Sequence, residues 1–470
     1  MKYCLLLCLA FFCVAPGVRA QSVRFEKDSL AQIFAKARQQ NKPVFVLLAL
    51  PPAPANLPDA LKKSRNTSGL NAPAVASALN KGFLSKELAF GSRESAAVVR
   101  QYTVSQWPTY LYFAPDGSLL FRRSGNTDAG QRYLQDLAAF QQAQADPANL
   151  SRLQEEFKKG NRSTEFLRRY IAKRRQLGQL VETTLLEAYV QELPVKTLNQ
   201  GAEVLFILEN GPVMGSKAQQ LTRLNMKVYD SLYRTLPLAK RVAINRAIIS
   251  NTMAQAIATK DRALATKAAD FARASWNTNY QRGMVAYEGN MLQFYRSTKD
   301  TAAYLRSAVS FYERTYYNMP ADSVKKALAA MQASRQEQAA NRQRLVQAAG
   351  KPPRAPSDSS GRVTTMARAV GTGGASASFL QELNNGAWSI YQTGTRNSQY
   401  LVRAMQWSKR TVDLDPTSYH YDTLAHLLYR LRFFSEAEAM QQQAVAVARR
   451  EKAATGMYEQ ELQKIQKRTL

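Results

Sequence analysis

Hydrophobic positions change their period twice along the 470-residue chain. Leu5 to Val14 is an unbroken apolar run. From residue 21 to about 147, short apolar strings alternate with helical spacings. Val23-Arg24-Phe25-Glu26 alternates as an edge strand does. Leu30, Ile33, Phe34 and Ala37 share one helix face, with Asp28 or Ser29 as cap and Asn41-Lys42-Pro43 as the stop. Val44 to Leu50 is apolar throughout, which predicts a strand covered on both faces. The proline-rich turn Pro51 to Ala55 follows. Short helices are predicted near Asp59–Lys63 and over Ala74–Leu79, and a strand starts at Gly82-Phe83-Leu84. Ser95–Tyr102 reads as a helix and Tyr110–Phe113 as a strand. Pro115-Asp116-Gly117 is a hairpin turn leading to a strand at Leu119–Arg123, and a helix runs from Asp128 to about Ala143. The predicted unit is a mixed sheet with helices on both faces.

From Asn149 onward the period is helical. Stretches are predicted near Glu182–Gln191, Lys196–Asn210, Ser216–Thr235, Leu238–Thr259, Asp261–Trp276 and Asn279–Ser297, separated by breakers. Gly350 to Gly361 and Gly371 to Ser378 have linker composition, with a short helix expected over Val363–Val370. Beyond the linker, Trp388, Ala404 and Pro416 stand 16 and 12 residues apart, and Trp388 to Tyr421 and Ala404 to Ala437 each span 33 residues. These spacings resemble a tetratricopeptide (TPR) repeat, in which small residues let paired helices approach. Leu292, Tyr295, Ala308, Tyr312 and Pro320 resemble the second half of such a unit. A stack of this kind needs a capping helix, expected over Met457–Lys467. By this resemblance the repeats offer a partner-binding face, with Asn384, Asn385 and Asp422 as its polar candidates.

The first unit resembles a thioredoxin-like domain of the exported bacterial kind. The matching segments are "NKPVFVLLA" from Asn41, "YTVSQWPTYLYFAPDG" from Tyr102, and Gly125. The resemblance implies a cis proline at Pro108, and a groove lined by Gln106, Trp107 and Pro108 where an extended peptide pairs with backbone. It also places Pro52-Ala53-Pro54-Ala55 where the family carries Cys-x-x-Cys, and Leu47 near the family's buried acid. Thiol–disulfide exchange needs a thiolate attacking sulfur, and neither alanine nor proline supplies one. The domain is therefore read as a redox-inactive scaffold. Trp107 and Pro108 can also be retained as fold geometry alone, and Tyr110 and Tyr112 are expected to pack against a covering helix.

Lys2, the Leu5–Val14 run and Val18-Arg19-Ala20 have the form of an export signal with cleavage before Gln21. Cys13 follows Phe11 and Phe12, where lipid attachment would call for small residues. The three cysteines, Cys4, Cys8 and Cys13, all lie in that signal, so the mature chain is expected to form no disulfide and no thiolate metal site. No later segment has the ~20 consecutive apolar residues of a membrane span. Taking Lys2 and Arg19 away leaves 62 basic against 35 acidic residues, +27, spread through the chain and not held in a tail. Such a field attracts anionic lipid, acidic glycan or acidic protein. It would bind nucleic acid without sequence preference. A bland basic surface is the other reading.

Arg168-Arg169 with Lys173-Arg174-Arg175 is the densest basic cluster, read as a solvated helix face or a phosphate contact. Tyr312, Tyr316 and Tyr317 are read as packing between helices. His420 and His426, the only histidines, are read as a loop histidine and a packing histidine, and a pocket joining either to two carboxylates would point to hydrolysis. No nucleophile elbow, zincin motif or phosphate loop is present. The expected architecture is a signal over 1–20, an α/β thioredoxin-like domain over 21–147, an all-α TPR-like array over 148–345, a linker over 346–377, and TPR-like repeats with a capping helix over 378–470. The expected function is a non-catalytic, periplasmic or secreted scaffold that binds a protein or peptide, with no cofactor and no metal. The alternative is a basic adaptor for anionic membrane surfaces or acidic glycans.

Overall fold

The computed structural model describes residues 22–53, 62, 66–276, 278–349, 366–367, 379–451 and 453–470. Four strands form the main sheet: β1 (Val44–Leu48), β2 (Leu84–Leu88), β4 (Thr109–Phe113) and β5 (Leu119–Ser124), in the order β2-β1-β4-β5. β3 (Gln106–Trp107) precedes β4 outside that sheet. β1 runs parallel to β2, with Val44 opposite Leu84, and antiparallel to β4, with Phe45 opposite Tyr112. β4 and β5 form the hairpin, in which Asp116 Oδ1 accepts from the Ser118 amide at 2.8 Å and Gly117 takes φ +94°.

The central place of β1 explains its apolar run. Alternate residues of β4 reach opposite layers, as the two-residue period of a strand requires. Tyr110 and Tyr112 meet Tyr133 and Phe140 of α4 (Gly130–Ala145), with ring centroids 5.4 and 6.0 Å apart. Phe113 meets Phe34 of α1 (Leu30–Gln40) at 5.1 Å on the other face. The helices α2 (Pro73–Gly82) and α3 (Arg93–Gln101) complete this unit. α1 starts in a capping box between Ser29 and Gln32 and ends at Asn41 with left-handed backbone.

Two expectations need correction in this unit. The edge strand over Val23–Glu26 is reduced to one parallel bridge, Phe25 to Ser85. One residue past Ser85, the Lys86 ammonium reaches the carbonyls of Glu26, Lys27 and Asp28 at 3.4, 3.3 and 2.6 Å. Those carbonyls bond the ammonium instead of continuing the ladder. β1 also ends at Leu48 and not Leu50. The helix expected over Asp59–Lys63 falls almost wholly outside the described residues.

The helical part begins with α5 (Leu150–Lys158), α6 (Thr164–Gln176), α7 (Thr183–Gln191) and α8 (Gly201–Glu209). One buried apolar cluster runs without a break from the sheet through Leu153, Phe166, Ile171 and Leu185 to Leu198. The stretch expected as one helix over Ser216–Thr235 is two, α9 (Lys217–Thr222) and α10 (Met226–Thr235), because Asn225 caps the second through its side chain. The stretch over Lys196–Asn210 is a tight turn, Val195–Asn199, followed by α8.

α11 (Leu238–Thr259), α12 (Arg262–Ala274), α13 (Tyr280–Ser297) and α14 (Thr301–Tyr312) follow. Thr-Lys-Asp recurs at 259–261 and 298–300. Each lysine ends a helix in left-handed backbone, φ +55° and +61°, and each aspartate caps the next helix. Pro320 stands two residues past Asn318, which ends the preceding helical run. Its carbonyl accepts from Val324 at the start of α15 (Ala321–Ala349), where a proline lacking N–H is harmless.

From residue 379 come α16 (Phe379–Gln392), α17 (Ser398–Leu414), α18 (Ser418–Arg430), α19 (Phe434–Arg450) and α20 (Gly456–Gln466), each packed on the next. Ala404, Ala425, Ala437 and Ala444 are fully buried at these crossings. Met366–Ala367 form a two-residue strand, β6, where a helix was expected, and the rest of that expected helix lies outside the described residues.

Candidate functional site

Three places carry the residues singled out above. At the first, the Trp107–Pro108 bond is cis. Gln106 is exposed. Trp107 is only 3 % exposed, its ring edge-on to Phe90 at 5.4 Å, so it belongs to the core and not to an open groove wall. Thr109 Oγ1 donates to the Gln106 carbonyl at 2.6 Å. The backbone of β3 is engaged by the chain itself, because Gln106 and Trp107 pair antiparallel with Ala367 and Met366 of β6. Pro52 and Ala53 sit at the surface end of β1, and Pro54 and Ala55 lie outside the described residues.

The second place is the basic cluster on α6. Its charges are largely paired. Arg168 binds Glu203, Lys173 binds Asp146, Arg174 binds Glu182 and Arg175 binds Glu209, at 2.7 to 3.0 Å. These pairs pin α6 to its neighbours and leave little of the cluster for a phosphate.

The third is a face built by alternate helices, α16, α18 and α20. Trp388 and Tyr391 of α16 stack at 4.9 Å with an interplanar angle of 21°. His426 of α18 stands edge-on to both rings, at 5.2 and 5.3 Å. One turn on, the Arg430 guanidinium lies 3.7 Å from the Tyr391 ring centroid. Its Nη1 also donates to the Tyr391 carbonyl. Trp388, Tyr391 and Arg430 are partly accessible, and His426 is buried behind them. His426 Nδ1 lies 2.8 Å from the Asp422 carbonyl oxygen and 3.8 Å from Asp422 Oδ2. Its Nε2 lies 3.4 Å from Glu461 Oε2 on α20. Gln441 Nε2 donates to Asp422 Oδ1 at 2.8 Å. Burial raises the Asp422 carboxyl above its ordinary range; His426 and the Gln441 bond pull it down, and Glu461 pushes it up.

The structure thus joins Asp422 to a histidine, a second carboxylate and two aromatic rings. It does not bring Asn384 to this surface. Asn384 is buried and donates to Thr423 Oγ1 at 3.1 Å between α16 and α18, whereas Asn385 is exposed. His420 is not on a loop: it sits in the first turn of α18, with Nδ1 2.6 Å from the Asp415 carbonyl. Tyr312 packs against Trp407 and Tyr316 as read, with centroids 5.5 and 6.0 Å apart. Sequence reading passed over Tyr391, Arg430 and Glu461. The four-residue spacing of Asp422, His426 and Arg430 was visible there, but nothing local announces Glu461.

Among the described residues no group of three or more His, Cys, Asp or Glu side chains is arranged to hold a metal ion, and no helix is long and apolar enough to cross a membrane. Comparison with protein families, with curated proteins and with solved structures gave no match.

Proposed function

We propose that this chain is an exported, non-catalytic scaffold, a thioredoxin-like domain followed by TPR-like repeats, that holds a protein or peptide partner in the cell envelope. The observation that carries the reading is the α16–α18–α20 face. Stacked Trp388 and Tyr391, the Arg430 guanidinium and the Glu461 carboxylate stand together on it. Aromatic rings and arginine are the side chains that most often anchor interfaces, since they combine apolar area with directional polar contacts. The sheet order, with a proline directly before β4 and no sulfur from Pro51 to Ala53, supports the redox-inactive part of the reading.

The test is a pull-down from envelope extract with residues 21–470, eluted in rising salt, beside an Arg430→Glu/Trp388→Ala variant. The reading requires a discrete partner that resists high salt and is lost in the variant. Acidic material released at low salt, equally by both proteins, overturns it in favour of the basic adaptor, because exposed charge contacts are screened beyond ~8–10 Å. A second reading rests on His426 between Asp422 and Glu461, an arrangement able to move a proton. Hydrolysis of an ester or glycoside panel that disappears in Glu461→Gln would establish that reading instead.

A further inference from the structure

We propose that the cavity between α13, α14 and α16 binds a small molecule carrying an oxyanion, a phosphate or a carboxylate, on a polar body. The cavity measures about 550 Å³, enough for a compact ligand. Arg296 and Lys299 line it together with Thr301 and Gln392, all four exposed, and among the described residues no carboxylate lines it. Among the described residues neither cation forms an ion pair. Arg296 Nη2 reaches Gln392 Oε1 at 3.4 Å, which leaves its other N–H groups for a ligand. This contrasts with α6, where the cations are matched by carboxylates. The nearest acid in sequence, Asp300, is turned away into the cap of α14, its Oδ1 accepting from Ala303 at 3.0 Å. The Asp300 carboxylate occupies the amino end of α14, so the positive field at the cavity comes from Arg296 and Lys299.

The floor is neutral and satisfied. Tyr304, 3 % exposed, donates to Ser389 Oγ at 2.6 Å, and Ser389 donates to the Gly386 carbonyl at 2.7 Å. Burial raises the Tyr304 hydroxyl's pKa, offset only in part by its bond to Ser389 and the Arg296 charge. Positive charge at the rim over a hydroxyl floor fits an anion that brings its own polar groups. An apolar ligand would take water from the two rim cations and return no partner.

The inference stands apart from the partner-binding reading, and either can fail alone. Isothermal titration of the full chain with inorganic phosphate, glucuronate and glucose tests it. The expected result is saturable binding of phosphate, glucuronate or both, and none of glucose. Which anion binds distinguishes a phosphate ligand from a carboxylate one. Arg296→Ala and Lys299→Ala should each weaken binding about tenfold, the scale of one charge-assisted hydrogen bond. Both side chains are exposed, so an unchanged circular dichroism spectrum is expected, and Lys227→Ala on α10 controls for net charge. Absence of saturable binding, equal binding of glucose, or anion binding unaltered in the Arg296/Lys299 double variant would overturn the proposal.

Discussion

Two glycines inside helices should respond to the same substitution with opposite sign. An alanine in a helix is more stable than a glycine by about 0.8–1.0 kcal/mol, because glycine has more backbone freedom to lose. Apart from its chain neighbours and its own helix backbone, Gly289 in α13 has no atom within 4 Å of where a Cβ would stand, so Gly289→Ala should gain that amount. Gly386 in α16 faces the Tyr312 ring, and its Cβ would lie 2.6 Å from two ring carbons and 2.8 Å from a third. Ordinary carbon contacts are about 3.5–4.0 Å, so roughly 1 Å must be found. The ring cannot easily give way. Phe311, Tyr316 and Trp407 surround it, at 5.0, 6.0 and 5.5 Å between centroids. Overpacking of this kind costs about 1–3 kcal/mol. Set against the helix gain, Gly386→Ala should be destabilised by up to about 2 kcal/mol, and the two variants should differ by about 1–3 kcal/mol. Thermal unfolding followed at 222 nm reads this as midpoints moving in opposite directions, by about 2–4 °C per kcal/mol in a helical region of this size. If Gly386→Ala is stabilised as much as Gly289→Ala, α14 and α16 do not pack through this contact and the reasoning is wrong.

Trp107→Ala should cost about 3–5 kcal/mol, as the loss of a buried indole does, so partner loss in that variant counts only if urea titration shows it folded. The raised pKa of Asp422 means that the folded state holds its proton more tightly than the unfolded chain does. Its contribution to stability is therefore full below the unfolded carboxyl value and declines as pH rises through the folded one. Asp422→Asn should lack this decline, so the variant's midpoint should rise relative to wild type on going from acid to neutral pH; a constant offset would sink the assignment. Asp146 behaves oppositely. Its bond to Lys173, and then the Ala148 amide, hold its carboxyl below the ordinary range, so stability from this pair is present above the unfolded value and lost as pH falls through the folded one. Both side chains are partly exposed, so Asp146→Asn should cost less than about 1 kcal/mol at neutral pH and nothing at the acid end.

Order and type of the elements were legible in the sequence because they depend on short-range facts. Val44–Leu48 is apolar at every position and became the central strand. Thr109–Phe113 sends its tyrosines to one layer and Phe113 to the other, as alternation dictates. The alanines at 404 and 437 marked helix crossings because only small side chains let backbones approach. Expectations failed for two reasons. Lys86 draws the Glu26–Asp28 carbonyls away from the ladder across 58 to 60 residues, a contact between distant residues, whereas Asn225 caps a helix through the Val228 amide, a local signal hidden by continuous helical spacing.

The candidate faces belong almost entirely to the tertiary structure. Glu461 meets His426 from 35 residues away, and Gln392 meets Arg296 from 96. Sequence spacing declares which side of a helix is apolar, but not which neighbouring helix that side will dock against or in what register. Whether a cation is left free also depends on docking: α6 finds carboxylates on the next helices and Arg296 finds an amide. Local pattern settles backbone dihedrals and the buried face, since both are governed by atoms a few residues apart. The meeting of charges is governed by distances through space, which the fold alone sets.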